Sequence, residues 1–261
     1  MTNKIPEDGR PTMNLQKVRT VLDEYSAKIN IPEFIDSDPV QFVHKYSLLQ
    51  DIEVVGILSA INAWGRREMI LRDINKILLI TGKSPYDFVM SADLDALSGT
   101  QSLHRTFNVS DLGYICRGLK KLYAQYPSLE RCFENKDMFE GITVLRAGIM
   151  SANAEHRSAK HLSNPDANSA CKRLHLFLRW MVRNDGIVDL GVWRGISPSA
   201  LYIPLDVHVG RVSRSLGLIS RKQNDRKTVH ELTDILKQLN PQDPIIYDFG
   251  LFGIGEQKIN I

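Results

Sequence analysis

The chain has 261 residues, with 33 Lys and Arg against 30 Asp and Glu, so its formal net charge is +3. This length predicts one large domain or two closely packed lobes, and a hydrophobic content of 43% is ordinary for a globular protein. Cys116, Cys132 and Cys171 are too few and too scattered for a disulfide framework. None belongs to a C-x-x-C pair, so we expect no zinc site, no iron–sulfur cluster and no other metal or cofactor.

Targeting and nucleotide-binding signals are also absent from the sequence. The N-terminus has no apolar core of a signal peptide, and no apolar run reaches the roughly 18 residues of a membrane span. The glycine-rich loops that bind dinucleotides and nucleoside triphosphates are missing, so no nucleotide cofactor is expected. The sequence therefore predicts a cytoplasmic, monomeric protein that does not associate with membranes.

The spacing of apolar residues along the chain predicts an all-α fold. Residues 1–11 are polar, carry two prolines and are predicted to be a disordered lead. Periods of 3.6 residues dominate, and the alternation typical of strands is rare. The predicted helices cover 15–29, Asp36–Tyr46 with an N-cap before Pro39, two segments of 51–80 that break near Trp64–Gly65, a segment after the turn at 82–85, 111–126 and 137–150.

Positive charge is concentrated in one fifth of the chain. Residues 172–226 contain ten Lys and Arg against four Asp, a local net charge of +6, so the remainder of the chain carries −3. Basic segments favour polyanions, because Lys and Arg displace the counterions that are condensed on phosphates. A solvated basic face without a partner is the alternative interpretation.

A helix is predicted from residue 172 to about 183, capped by Asn168 or Ser169. Its predicted buried stripe contains Leu174, Phe177, Leu178 and Met181. Lys172, Arg179 and Arg183 are spaced i, i+7, i+11, so we expect them on the opposite face.

A second helix is predicted to follow Pro204, with Asp206 as its N-cap. Its apolar positions, at i, i+4, i+7 and i+11, are Leu205, Val209, Val212 and Leu216. A capping Asp at the mouth of a cleft can also carry chemistry, so the structural and catalytic interpretations of Asp206 are compatible.

The block from Pro204 to Val212, PLDVHVGRV, followed by Leu216-Gly217-Leu218, resembles the catalytic segment of the helix-hairpin-helix (HhH-GPD) DNA glycosylases. The stretch 58–63, LSAINA, is similar to a helix of that superfamily near the extruded nucleotide. The arrangement CKRL…FLRWMVR…PLD-x-HV-x-R also resembles an uncharacterised bacterial family, a domain of unknown function. The resemblance covers about residues 50–255. It implies a two-lobed helical domain over 12–261 around a central cleft, with a first lobe near 50–150 and the hairpin and catalytic helices near 160–220.

The resemblance implies Asp206 as the catalytic carboxylate and Lys172 as the nucleophile of a base-excision-repair DNA glycosylase, with possible strand cleavage. The hairpin here, residues 161–170, has no glycine, and only Asn164 and Asn168 readily adopt positive φ. Lys172 precedes Asp206 by 34 residues. This hairpin and spacing are similar to those of archaeal 8-oxoguanine DNA glycosylases.

The resemblance also implies the surfaces that hold the DNA. The extruded base needs a π-face and amide edges, which Asn62, Trp64 and Trp193 are expected to supply. The residues expected to contact DNA are Asn164, Asn168, Ser169, Arg173, Arg179, His208 and Arg211. Two alternatives stay open, a nucleic-acid-binding protein of the same fold without catalysis and a scaffold whose basic patch meets an acidic protein.

Overall fold

The computed structural model describes residues 14–152 and 157–256 and is mostly helical, as predicted. The predicted lead at 1–11 lies outside the described residues. The α-helices are α1 Leu15–Ile29, α2 Pro32–Ser37, α3 Leu49–Asn62, α4 Arg67–Thr81, α5 Pro85–Ser91, α6 Val109–Tyr123, α7 Met138–Met150, α8 Lys172–Val182, α9 Val207–Ser215, α10 Arg226–Leu239 and α11 Tyr247–Glu256. A small antiparallel hairpin pairs β1, Ser102–His104, with β2, Phe107–Asn108.

Short 3₁₀ helices connect several of these elements. They cover Pro39–Lys45, Leu129–Cys132, Arg157–His161, Pro165–Ala167, Pro198–Ala200 and Pro244–Ile246. The predicted helix after Asp38 is the first of these, with the Asp38 side chain accepting a hydrogen bond from the backbone N–H of Val40. The predicted break between α3 and α4 at Trp64–Gly65 is also confirmed.

Helix α3 forms the centre of the fold, since every residue from Asp51 to Asn62 is buried. A helix that is apolar on all sides belongs in a protein interior. Helices α4, α5 and α8 and the 3₁₀ helix Pro39–Lys45 pack around it. Gly56 lets α8 approach closely, because a Cβ at this position would lie 2.9 Å from a ring carbon of Phe177. This contact fixes the position of α8 relative to α3.

The chain before α8 differs from the predicted hairpin. Residues 157–167 form two 3₁₀ helices, and α8 is capped by Cys171 without a side-chain hydrogen bond, not by Asn168 or Ser169. Asn168 does have a positive φ, +58°, but Asn164 has a φ of −105°. Cys171 has the other left-handed backbone here, at +47°, so the turn into α8 needs no glycine.

The predicted exposed basic face of α8 is wrong for two of its three members. Arg179 and Arg183 are buried, at 4% and 2% exposure. Arg179 is ion-paired with Asp189 and Asp248, while Arg183 Nη1 lies 2.6 Å from Asp189 Oδ2. Buried arginines require such partners because an unpaired charge in the interior is costly. Part of the positive charge of residues 172–226 is therefore neutralised inside the protein.

Helix α11 completes the fold at the other end of the chain. It packs against α1 and α9, and most of its residues are buried. Its packing brings Asp248 and Phe252 to the part of the molecule where α8 and α9 begin. Within the described residues, no helix is long and apolar enough to cross a membrane.

Candidate functional site

A cavity of about 670 Å³ opens where helices α8 and α9 begin. Lys172 is the first residue of α8, and Asp206 is the N-cap of α9. Both side chains line this cavity, although 34 residues separate them in the sequence. The other polar and aromatic residues that line it are Asp38, Trp64, Arg67, Arg173, His208, Asn224, Phe252 and Glu256.

The Asp206 carboxylate is held by the start of α9. Its Oδ1 accepts a hydrogen bond of 2.8 Å from the backbone N–H of Val209, which confirms the predicted N-cap. Its backbone carbonyl accepts a 2.9 Å hydrogen bond from Asn224 Nδ2. Asp206 is half-buried, so the carboxylate is fixed at the wall of the cavity while remaining accessible from it.

Cations surround the Lys172 side of the cavity. Arg173 is half-buried and donates a hydrogen bond to the carbonyl of Ile61 at the end of α3, and burial lowers its pKa. Arg67, on α4, also lines the cavity, and its Nη2 is 2.9 Å from Glu256 Oε1. The site thus combines an amine, guanidinium groups and carboxylates in one concave space.

A narrow recess of about 50 Å³ also includes Lys172 and Asp206 in its walls. Two further carboxyl groups face it, Asp38 and Asp248. Burial raises the pKa of Asp248 to about 6, even though the Arg179 guanidinium lowers it. Burial likewise raises the pKa of Asp38, against smaller lowering effects of the Val40 N–H and nearby cations. The apolar walls are Phe34, Leu176, Pro204, Phe249 and Phe252.

Trp64 provides an aromatic wall in the larger cavity. The Arg105 guanidinium lies 4.2 Å from the centroid of its ring, and His104 contacts the ring edge-on. The indole Nε1 is buried and has no hydrogen-bond partner among the described residues. Phe252, on α11, provides a second aromatic ring, whose centroid lies 5.4 Å from the Arg67 guanidinium.

Five of the predicted site residues meet at this cavity: Trp64, Lys172, Arg173, Asp206 and His208. The others lie elsewhere. Asn62 is buried and its Nδ2 donates to the carbonyl of Leu58, one turn earlier in α3. Arg211 donates to the carbonyl of Gly255. The predicted hairpin residues are held by hydrogen bonds within the protein: Asn164 caps a 3₁₀ helix, Ser169 accepts from the Cys171 N–H, and Asn168 donates to Asp225, 57 residues away.

The structure corrects three of these predictions, of which the first concerns Asn62, since it is 0% exposed and lines neither the cavity nor the recess. Trp193 is 1% exposed, and its Nε1 donates a 2.7 Å hydrogen bond to Glu53 in the core, so it does not line the cavity. Arg179 lines the narrow recess, but it is buried between Asp189 and Asp248 and cannot reach a phosphate on the surface. Both side chains stabilise the fold around the site.

Sequence reasoning missed five polar or aromatic residues of the cavity: Asp38, Arg67, Asn224, Phe252 and Glu256. Asp38 caps a helix, as the sequence predicts, but it also lines both the main cavity and the recess together with Lys172. Arg67 lies on a helix whose amphipathic pattern gave no functional signal. Phe252 belongs to α11, an element that the sequence did not predict.

Metal-binding geometry is not found in the described parts of the chain. No group of three or more His, Cys, Asp or Glu residues at 14–152 and 157–256 is arranged to hold an ion. The three cysteines are buried and free, and burial raises the pKa of each thiol. These thiols are therefore poor ligands and poor nucleophiles.

Comparison with known proteins gives one match. A family model described as "protein of unknown function (DUF2400)" matches residues 38–257. No curated protein and no solved structure is detectably similar to the chain. The matched region includes all of the residues that line the main cavity.

Proposed function

The chain belongs to the DUF2400 family of proteins of unknown function, and we propose that it is a DNA glycosylase that excises a flipped, damaged base with Lys172 as nucleophile and Asp206 as the stabilising carboxylate. The proposed architecture is the two-lobed HhH-GPD-like fold, with lobes near residues 50–150 and 160–220 on either side of the cavity. The proposal needs no metal and no nucleotide cofactor.

One observation carries this proposal: Lys172 and Asp206 start two different helices and line one cavity. Neither position is explained by packing alone. A lysine in the first turn of a helix is unfavourable by a few tenths of a kcal/mol, because the positive end of the helix dipole lies there. Asp206 fulfils its capping role with one carboxylate oxygen, which leaves the other for a ligand.

The chemistry follows from these two groups. The neutral amine of Lys172 attacks C1′ of the flipped nucleotide, the bond from C1′ to the base breaks, and the base leaves with the electron pair. Positive charge develops on the sugar, and the carboxylate of Asp206 stabilises it. The covalent sugar then opens to an imine on Nζ, from which elimination of the 3′ phosphate can cleave the strand.

The cavity also has the features that hold a flipped nucleotide. Trp64 and Phe252 supply aromatic surface for the base. Arg67, Arg173 and His208 place cationic or polar groups at the cavity for the sugar-phosphate backbone. A volume of about 670 Å³ is in the range of small-molecule sites.

The test is a base-release assay on duplex oligonucleotides that carry oxidised purines, oxidised pyrimidines, uracil or alkylated bases. We expect wild-type protein to release one of these classes. Lys172→Gln and Asp206→Asn should each abolish measurable release while duplex affinity is retained, and Asn at position 206 preserves the cap of α9. Lys83→Gln, at an exposed turn outside the cavity, is the matched control and should be fully active. Failure to release any of these bases would contradict the proposal.

A nucleic-acid-binding protein without catalysis is the second candidate. It is favoured by the segment before α8, which has no glycine at residues 161–170 and contains two 3₁₀ helices, Arg157–His161 and Pro165–Ala167, where the resemblance implies a hairpin. It predicts salt-dependent duplex binding without base release, and Asp206→Asn should then leave every measured property unchanged.

A further inference from the structure

We propose that Asp38 is the proton acceptor for Lys172, the group that converts its ammonium into the nucleophilic amine. This inference rests on the proposed glycosylase function and adds to it a third residue, one that the sequence marked only as a helix cap. It is carried by the placement of Asp38, which faces both the main cavity and the narrow recess together with Lys172 and Asp206.

The reaction requires such a group because a lysine side chain has an ordinary pKa near 10.4 and is charged at neutral pH. Asp206 is poorly suited to this task. Its negative charge has to persist through the transition state to balance the sugar. A second carboxylate at the same cavity can accept the proton, while Asp206 stabilises the positive charge on the sugar.

The surroundings of Asp38 fit the role of a base. Its Oδ1 is fixed by a 3.0 Å hydrogen bond from the Val40 N–H, which leaves Oδ2 for exchange with the cavity. The cations whose charge acts on it are Arg67, Lys172 and Arg179. The carboxyl groups that share the recess with it are Asp206 and Asp248.

Burial contributes to the same end. It raises the pKa of Asp38 and thereby strengthens it as a base relative to an exposed carboxylate. Of the three carboxyl groups at the recess, Asp248 is ion-paired with the buried Arg179, and Asp206 has to stay charged opposite the sugar, so Asp38 is the one that remains to exchange a proton.

The transfer is balanced without another reactant. The proton moves from Nζ to Oδ2 of Asp38, so an ammonium and a carboxylate become an amine and a carboxylic acid. The amine then forms its bond to C1′ as the bond from C1′ to the base breaks. The departing base takes the proton from Asp38, which regenerates the carboxylate.

Asp38→Asn isolates this role, because asparagine caps a helix as well as aspartate does but is not a base at neutral pH. The measurement is the single-turnover rate of covalent trapping with cyanoborohydride, from pH 6 to pH 10, on the oligonucleotide that the wild type traps. We expect a rate reduction of about 100-fold or more at pH 7. The deficit should shrink toward pH 10, where solvent removes the proton from Lys172 without help.

Two comparisons complete the design. Asp206→Asn should lose trapping at every pH, because high pH does not replace a charge opposite the sugar. Asp36→Asn, an exposed carboxylate two residues away, should match the wild type. Asp38→Ser, which also retains a capping side chain, supplies the measurement if Asp38→Asn does not fold, and it should show the same rescue at high pH.

The failures of the two proposals are distinguishable. If the wild type traps no oligonucleotide at any pH, the glycosylase function is contradicted and this inference with it. If the wild type traps and the Asp38 variants are slowed equally at all pH values, or not slowed at all, the function stands and Asp38 is not the proton acceptor.

Discussion

Arg179 and Asp189 form an ion pair in the interior of the protein, with Arg179 Nε 3.1 Å from Asp189 Oδ1. The Asp189 carboxylate also accepts from Arg183, and both side chains of the pair are almost entirely buried. This arrangement fixes the C-terminal half of α8 and therefore the direction of the whole helix, whose first residue is Lys172. The sequence places Arg179 and Arg183 on a basic face of α8, whereas in the structure their ion pairs hold the helix that carries the proposed nucleophile.

Removal of the Asp189 charge should strongly destabilise the folded protein. In Asp189→Asn, the buried guanidinium groups of Arg179 and Arg183 each lose one carboxylate partner. Breaking a buried ion pair costs about 3–5 kcal/mol. The free energy of unfolding in urea measures this loss. The control is Asp95→Asn, whose carboxylate is 89% exposed and pairs with Arg117, and which should cost about 0–1 kcal/mol. Equal losses in the two variants would contradict a structural role for the Arg179–Asp189 pair.

The lowered pKa of the Asp111 carboxyl should make the free energy of unfolding depend on pH. Burial alone would raise its pKa, but hydrogen bonds from His161, Ser158 and the backbone N–H of Asn108 outweigh burial and hold the pKa well below its usual range. A lowered pKa in the folded state stabilises the protein fully above the unfolded pKa of about 3.9, and this stabilisation is lost as the pH falls below it. The segment from Arg157 to His161 is thereby tied to α6 most strongly at neutral pH.

Asp111→Asn tests this dependence. At pH 7 we expect the variant to lose about 2 kcal/mol, the range for hydrogen bonds to a charged group. At pH 3 the difference from the wild type should be smaller, because part of the wild-type advantage has been lost to protonation. Urea unfolding at the two pH values measures both differences, and a difference that is equal or larger at pH 3 would contradict the account.

Arg67 should contribute to DNA affinity through charge. It lines the cavity with a third of its side chain exposed, 33%, and its partner Glu256 is also at the rim. Arg67→Gln should weaken duplex binding for all sequences and reduce the slope of log affinity against log salt by about one. Fluorescence anisotropy at several salt concentrations measures this slope.

Arg131→Gln is the matched control for that experiment. Arg131 is exposed, pairs with Glu134, and lies away from the main cavity. It should leave the slope unchanged. Equal effects of the two substitutions would show that DNA binding does not use this cavity.

Local signals in the sequence predicted much of the fold. The Pro-Leu-Asp segment predicts the cap of α9, and the Asp38-Pro39 pair predicts the helix that follows it, because capping depends on a few adjacent residues. Helix α11 was not predicted, since an apolar segment with three internal glycines has neither a helical stripe nor a strong propensity.

The ion-pair partners of the buried charged residues could not be predicted from the sequence. Arg179 and Arg183 share a helix face with Lys172, but the spacing does not reveal that carboxylates from residues 185–189 and 243–248 cover their part of that face. Trp193 illustrates the same limit, because its partner Glu53 is 140 residues away. That Lys172 and Asp206 line one cavity was predictable only through a family resemblance, whereas the position of Asp38 at the same cavity required the packed structure.

The most direct test of the account is to locate the covalent bond. Wild-type protein is incubated with a lesion-containing oligonucleotide and borohydride, the trapped complex is digested with trypsin and nuclease, and the modified peptide is sequenced by mass spectrometry. We expect a reduced sugar remnant on Nζ of Lys172 and no trapped complex for Lys172→Gln. A remnant on any other amine, or the absence of any trapped complex across the lesion classes, would rule out Lys172 as the nucleophile.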